Sequence, residues 1–138
     1  MAEKFRLEVV TPSRLVVSDE VDLVTTPGSD GVFGVMANHA PLLASLKIGR
    51  MTYYKDNEAV NMAVSGGFCE VSNNRMTVLA EAAERSEEID VERALRAKER
   101  AERRLQEAEA GREKIDLARA QAAMARALTR LRIAGHEA

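Results

Sequence analysis

Asp90 and Arg93 are the first residues whose types and spacing suggest chemistry. They sit in Ile89-Asp90-Val91-Glu92-Arg93-Ala94, and the phrase returns as Ile115-Asp116-Leu117-Ala118-Arg119-Ala120. Helix-start physics accounts for most of it. Aspartate accepts the free N–H groups of a first helical turn, and its charge suits the positive end of the helix. An isoleucine just before that cap can pack on the alanine four positions after it. Arginine is out of place so near a helix N-terminus, so Arg93 and Arg119 are left without a reason. Further along, Arg126 and Arg130 stand four apart, on one face of any helix that carries them. The stretch from Leu117 to Ala134 holds Arg119, Arg126, Arg130 and Arg132 and no acid. Two readings stay open for it: cations placed near a helix C-terminus, or a surface for an anion or an acidic partner.

Other chemistry is missing. The chain has no GxxxxGK[ST] loop, no HExxH and no paired CxxC. His39, His136 and Cys69 do not share a spacing that would hold a metal. Cys69 follows Phe68 in a strand pattern and reads as a buried, inert thiol. No catalytic constellation emerges, so the sequence points to a non-catalytic protein that requires no cofactor.

The elements that must position these residues differ sharply between the two ends of the chain. All three prolines, all five aromatics and six of the eight glycines precede residue 70. After Ser86 come 13 alanines, 12 Lys/Arg and 11 Asp/Glu, with glycine only at 111 and 135. A β-type region is therefore followed by an α-type region, with the hinge near Glu84–Asp90. In the first, Phe5, Leu7 and Val9 alternate with Arg6 and Glu8 until Thr11-Pro12-Ser13 breaks the run. Short strands follow at Leu15–Val17 and Val21–Thr25. Val60, Met62 and Val64 form another, expected to stop at Ser65-Gly66-Gly67. Phe68–Val71 and Met76–Leu79 complete the set, with turns at Asp56-Asn57 and Asn73-Asn74. With no helical segment between strands, a sandwich or flattened barrel is predicted rather than a parallel α/β sheet. In the second region Asp90–Ala110 and Asp116–Ile133 read as two helices, each roughly 30 Å long, folded into an antiparallel hairpin. Their apolar faces are thin: Val91, Leu95, Ala101, Leu105 and Ala108 on one, Leu117, Met124, Leu128 and Leu131 on the other.

Pro27–Leu43 (PGSDGVFGVMANHAPLL) looks least strand-like and reads as an ordered loop. Its Val32, Phe33, Val35 and Met36 either fold back onto the core or form a docking tip. The whole chain has 30% charged residues but a net charge of only −2, which gives no pull toward nucleic acid or anionic membrane. No aromatic occurs in either helix for base stacking. No apolar run approaches the ~18 residues of a membrane span, and the N-terminus lacks the apolar core of a signal peptide. A single cysteine suits a reducing compartment.

Three stretches carry a resemblance to a known family: GSDGVFGVMANHAPLLASLKIG (28–49), AVSGGFCEVSNNRMTVLAEAAE (63–84) and EIDVERALRAKERAERRL (88–105). Over almost its whole length the chain resembles the epsilon subunit of the bacterial F-type rotary ATP synthase. The resemblance implies a β-sandwich of about ten strands over residues 1–86, binding the gamma subunit and the ring of c subunits. A regulatory hairpin is implied over residues 87–138. It further implies a non-catalytic rotor subunit of the central stalk, peripheral on the cytoplasmic face of the inner membrane, that couples proton flow to the catalytic head. Asp30, Val32, His39, Pro41 and Leu42 match the region facing the c ring. In the family, the hairpin inhibits ATP hydrolysis when extended along gamma into the alpha/beta head. In some members ATP is a regulatory ligand that holds the hairpin folded; the matching residues here are Glu84, Ile89, Asp90, Arg93, Ala94, Arg126 and Arg130. From a different class, the alternative is a free-standing adaptor whose hairpin binds a helical partner. Direct membrane insertion and nucleic-acid binding are not expected.

Overall fold

The computed structural model describes residues 3–111 and 116–136. Ile115, and with it the start of the repeated phrase, lies outside the described residues. The chain divides into two compact units, Met1–Arg85 and Ser86–Ala138. The first contains β1 (Phe5–Val10), β2 (Leu15–Val21), β3 (Leu23–Gly28), β4 (Gly31–Met36), β5 (Leu42–Lys55), β6 (Glu58–Ser72), β7 (Arg75–Ala80) and β8 (Ala83–Arg85). The second contains a 3-10 turn, Ser86–Glu88, then α1 (Val91–Glu109) and α2 (Leu117–Ile133). No helix among the described residues is long and apolar enough to cross a membrane.

The strands follow the order β2-β1-β7-β6-β5-β3-β4, with β8 beside β6. All pairs are antiparallel except β1 with β7. Eight strands are described where about ten were expected, because β5 and β6 are long enough to serve both layers of the sandwich. β6 pairs with β8 through Met62–Val64 and with β7 from Gly67 onward. The turns at Asp56-Asn57 and Asn73-Asn74 form as expected: all four residues take positive φ, from 50° to 68°, as a two-residue type I′ hairpin turn requires.

Three expectations fail, each because of how strands pair. Ser65-Gly66-Gly67 does not end a strand. Gly66 and Gly67 have φ of 89° and 127° and kink β6 without interrupting it, as glycine inside a strand commonly does. Pro27 does not end β3. It lies where pairing between β3 and β5 skips from Thr25 to Gly28, so its missing N–H costs no ladder bond. Gly31–Met36 is a strand, not loop, pairing with β3 from Leu23↔Met36 to Gly28↔Gly31.

Phe5, Leu7, Val9, Val24, Val35, Met51, Met62, Val64, Met76 and Val78 are almost wholly buried in the sandwich core. Cys69 lies among them as a free thiol, and burial pushes its pKa up while the Ala44 backbone partly opposes the shift. At one corner Lys4 Nζ meets Asp56 at 2.8 Å and Asp22 at 3.1 Å, and Lys55 meets Asp19 at 2.8 Å. The Asp56 backbone N–H donates to Asp22 at 2.9 Å. That bond, then Lys4, holds the Asp22 carboxyl below its usual range, as the Lys55 ammonium does for Asp19. These pairs tie the start of β1 and the β2–β3 corner to the β5–β6 turn.

Gly67 admits no side chain: a Cβ there would lie 2.0 Å from the Leu79 carbonyl oxygen, in a backbone conformation that L-residues avoid. Gly67→Ala is expected to destabilise the sandwich by about 3 kcal/mol or more, read as a lower urea midpoint. Gly34→Ala, whose Cβ would meet nothing closer than 3.7 Å, should leave that midpoint nearly unchanged.

Candidate functional site

β7 turns Met76, Val78 and Ala80 inward and Leu79 outward. Leu79 lies opposite Val10 of β1 on one side and Phe68 of β6 on the other. Val10 in turn faces Leu15, and Phe68 faces Ser45, two residues from Leu43 on β5. Leu15, Leu79, Phe68 and Leu43 are 54%, 55%, 58% and 74% exposed. Single exposed apolar residues are ordinary, but a row on one sheet face, in register from Leu15 through Val10 and Leu79 to Phe68 and offset by two residues at Leu43, marks an interaction surface. A shallow depression of about 360 Å³ runs along it, lined among others by Thr11, Pro12, Phe68 and Leu79. The sequence reading did not identify this row. The available signal was that Leu79 falls on the outward parity of the Met76/Val78/Ala80 alternation.

The residues of the Pro27–Leu43 stretch divide between two roles. Val35 is buried and Phe33 packs against the core, whereas Val32 and Met36 are 71% and 60% exposed. Asp30, His39 and Leu42 line one cleft of about 540 Å³, with Phe33 on its wall. The Ser45 hydroxyl donates to that of Ser29 at 2.7 Å, and the His39 Nδ1 lies 2.6 Å from its neighbour's carbonyl at Ala40. A carbonyl can only accept, so that ring nitrogen carries the proton. Val32 and Pro41 are exposed and do not line the cleft.

In the hairpin, both helix starts are capped as expected. Asp90 Oδ1 accepts the Arg93 backbone N–H at 3.1 Å, and Asp116 Oδ1 accepts that of Arg119 at the same distance. Ile89 and Ala94, flanking the first cap, are buried, while the Arg93 side chain is exposed. Ala94, Ala101, Ala120, Ala127, Leu131 and Ile133 are the buried positions of the two helices. Leu117, expected inside, is 48% exposed. The helices run antiparallel, so the C-terminal half of α2 lies beside the N-terminal half of α1. Arg130 lies in the last turn of α2, toward the end where α1 begins, and Arg126 lies one turn before it. Both are half-buried, whereas Arg119 and Arg132 are exposed. Glu84 stands apart from these in the chain division: it is half-buried in β8 of the sandwich, opposite Ala63. Among the described residues no cluster of His, Cys, Asp and Glu could hold a metal ion.

Comparison with known proteins decides the family. The model described as "ATP synthase, Delta/Epsilon chain, beta-sandwich domain" matches residues 4–86, and the one for the long alpha-helix domain matches 87–135. The chain belongs to the ATP synthase delta/epsilon family, as an epsilon chain. It is 54% identical to the ATP synthase epsilon chain of Carboxydothermus hydrogenoformans and 51% identical to that of Nitratidesulfovibrio vulgaris. Each comparison runs over 105 residues, covering 76% of this chain and 78% of the relative. A chain in the OSCP/F1/c-ring assembly of the Euglena gracilis mitochondrial ATP synthase superposes with a TM-score of 0.80 at 21% identity, over 99% of this chain and 84% of that one. At that identity the likeness bears on the epsilon-type fold alone.

Replacing either cap, by Asp90→Ala or Asp116→Ala, is expected to destabilise the hairpin by about 1 kcal/mol. Helical ellipticity followed through thermal unfolding checks this. A melt unmoved by both changes would contradict the capping geometry.

Proposed function

We propose that this epsilon chain is a non-catalytic subunit of the central stalk of a proton-translocating ATP synthase, coupling the c ring to gamma. The observation that carries the reading is the apolar row Leu15, Leu79, Phe68 and Leu43 on the sandwich. A sheet face of this kind needs a cover, and in this reading the gamma subunit supplies it. The cleft with Asp30, His39 and Leu42, together with Val32 and Pro41, would meet the c ring. The subunit would then sit peripherally on the cytoplasmic face of the bacterial inner membrane, held there by its partners. A free-standing adaptor, the alternative, gives this sandwich face nothing to do.

Paired substitutions on the row test the assembly. Phe68→Glu with Leu79→Glu changes outward-facing side chains and should leave the sandwich folded. It should also abolish co-purification with gamma. Undiminished capture of gamma by this variant would overturn the assignment of the face.

The hairpin is the regulatory part in this reading. Extended along gamma into the alpha/beta head it inhibits ATP hydrolysis; folded, it does not. ATP would favour the folded state, with the exposed Arg93 and half-buried Arg126 and Arg130 receiving the phosphates through charge-assisted bonds. Asp90, Ile89, Ala94 and Glu84 complete the set. A ligand that binds one state alone, at about 100 times its dissociation constant, stabilises that state by about 2.7 kcal/mol. That is substantial against a hairpin whose buried positions are largely alanine. Titrating ATP into the isolated chain should give saturable binding, weakened at least tenfold by Arg126→Ala. Absence of saturation at millimolar ATP would remove ATP from the mechanism and leave the stalk assignment standing.

A further inference from the structure

The last strand of the sandwich is too short to hold itself. β8 has three residues and pairs with β6 through Val64↔Ala83, Ala63↔Glu84 and Met62↔Arg85. A short strand at the end of a unit is where local opening begins. At its last residue a side chain reaches elsewhere: Arg85 Nη2 donates to the backbone carbonyl of Val16 at 3.1 Å, in a part-buried position. Val16 belongs to β2, which is separated from β6 in the sheet order by β1 and β7. It is itself 6% exposed. One guanidinium therefore fastens β8 to a strand that is not its neighbour, through a cationic donor that stays charged at any relevant pH. Immediately after Arg85 the chain leaves the sandwich. Ser86–Glu88 form a 3-10 turn with no buried residue, and α1 follows its Asp90 cap.

We propose that Arg85 is a positioning residue that fixes the root of the helical hairpin. It locks β8 to β2, so that any excursion of the hairpin starts at Ser86–Glu88 and does not peel β8 away. The regulatory meaning of this lock rests on the mobile hairpin described under Proposed function; the lock itself does not. Without Arg85, β8 frays and the pivot retreats toward Glu81-Ala82. The tether then lengthens by the three residues of β8, about 10 Å at full extension, and the folded state is opposed by the added freedom of a longer linker.

Hydrogen exchange on the full chain tests this with Arg85→Met, which keeps an apolar stem without the charge, and Arg85→Lys, which keeps the charge. In Arg85→Met the amides of 83–85 should exchange about tenfold faster, the effect of one charge-assisted bond. Protection in β1 and β7 should be unchanged. Arg85→Lys should recover part of the protection. In the wild type, β8 should stay protected with and without ATP, and Arg85→Met should raise the ATP concentration that half-protects α1 and α2. Unchanged exchange at 83–85 in Arg85→Met would overturn the lock. So would an equal rise across β1, β6 and β7, which would make Arg85 a general stabiliser. A wild-type hairpin indifferent to ATP, with β8 still loosened in Arg85→Met, would support the lock and count against ATP control alone.

Discussion

The close approach of β6 to β7 at Gly67 is the constraint from which the rest of the sandwich follows. With no room for even a Cβ against the Leu79 carbonyl, the strand must carry glycine there, and the positive φ of Gly66 and Gly67 bends it. The bend also reverses which parity of residue faces the core. Before it, Met62 and Val64 point in; after it, Cys69 and Val71 do. β5 shows the same change of parity beside it, with Leu46 buried on one side of Gly49 and Met51 and Tyr53 on the other. β5 and β6 change face together, because their pairing keeps one register from Leu42↔Val71 to Lys55↔Glu58. That change puts Phe68 outside and opposite Leu79, and so creates the apolar row.

This explains which parts of the fold could be read from residues alone. Turns governed by adjacent residues, such as Asp56-Asn57 and Asn73-Asn74, declare themselves because the left-handed conformation restricts the residue types that fit. The helix starts do so for a similar reason, since Asp90 and Asp116 satisfy orphan N–H groups within their own first turns. The bend in β6 depends on a carbonyl twelve residues away, across a strand pair (Gly67 against Leu79). Gly-Gly in the sequence looks the same whether it ends a strand or kinks one. β4 was hidden similarly, because its glycines and the nearby Pro27 suggest loop until the skipped β3–β5 register accommodates the proline.

The helical unit obeys different physics. Its buried positions are largely alanine, at a seven-residue spacing from Ala94 to Ala101 and from Ala120 to Ala127. Small side chains let helix backbones approach closely, and each removes little apolar surface from water. The larger residues expected to build the interface contribute unevenly: Leu131 is fully buried, Met124 and Leu128 are partly so, and Leu117 is largely exposed. Amphipathic spacing identified the helices correctly while overestimating what each leucine buries. A unit of this kind depends more on its caps than a leucine-rich pair would.

The same burial pattern sharpens the six-residue phrase at Ile89–Ala94. Ile89 and Ala94 are buried and Asp90 caps the helix, so three of its positions have structural work that no ligand is required to explain. Arg93 differs: it contributes its backbone N–H to the cap while its side chain remains exposed. On the paired helix, Arg126 and Arg130 are half-buried, though Arg119 and Arg132 in the same acid-free stretch are exposed. Placement near a helix C-terminus accounts for Arg130 and Arg132 equally, since both lie in the last turn. It does not account for Arg126, one turn before Arg130. The arginines whose placement neither capping nor the helix C-terminus explains are therefore Arg93 and Arg126, one on each helix of the pair.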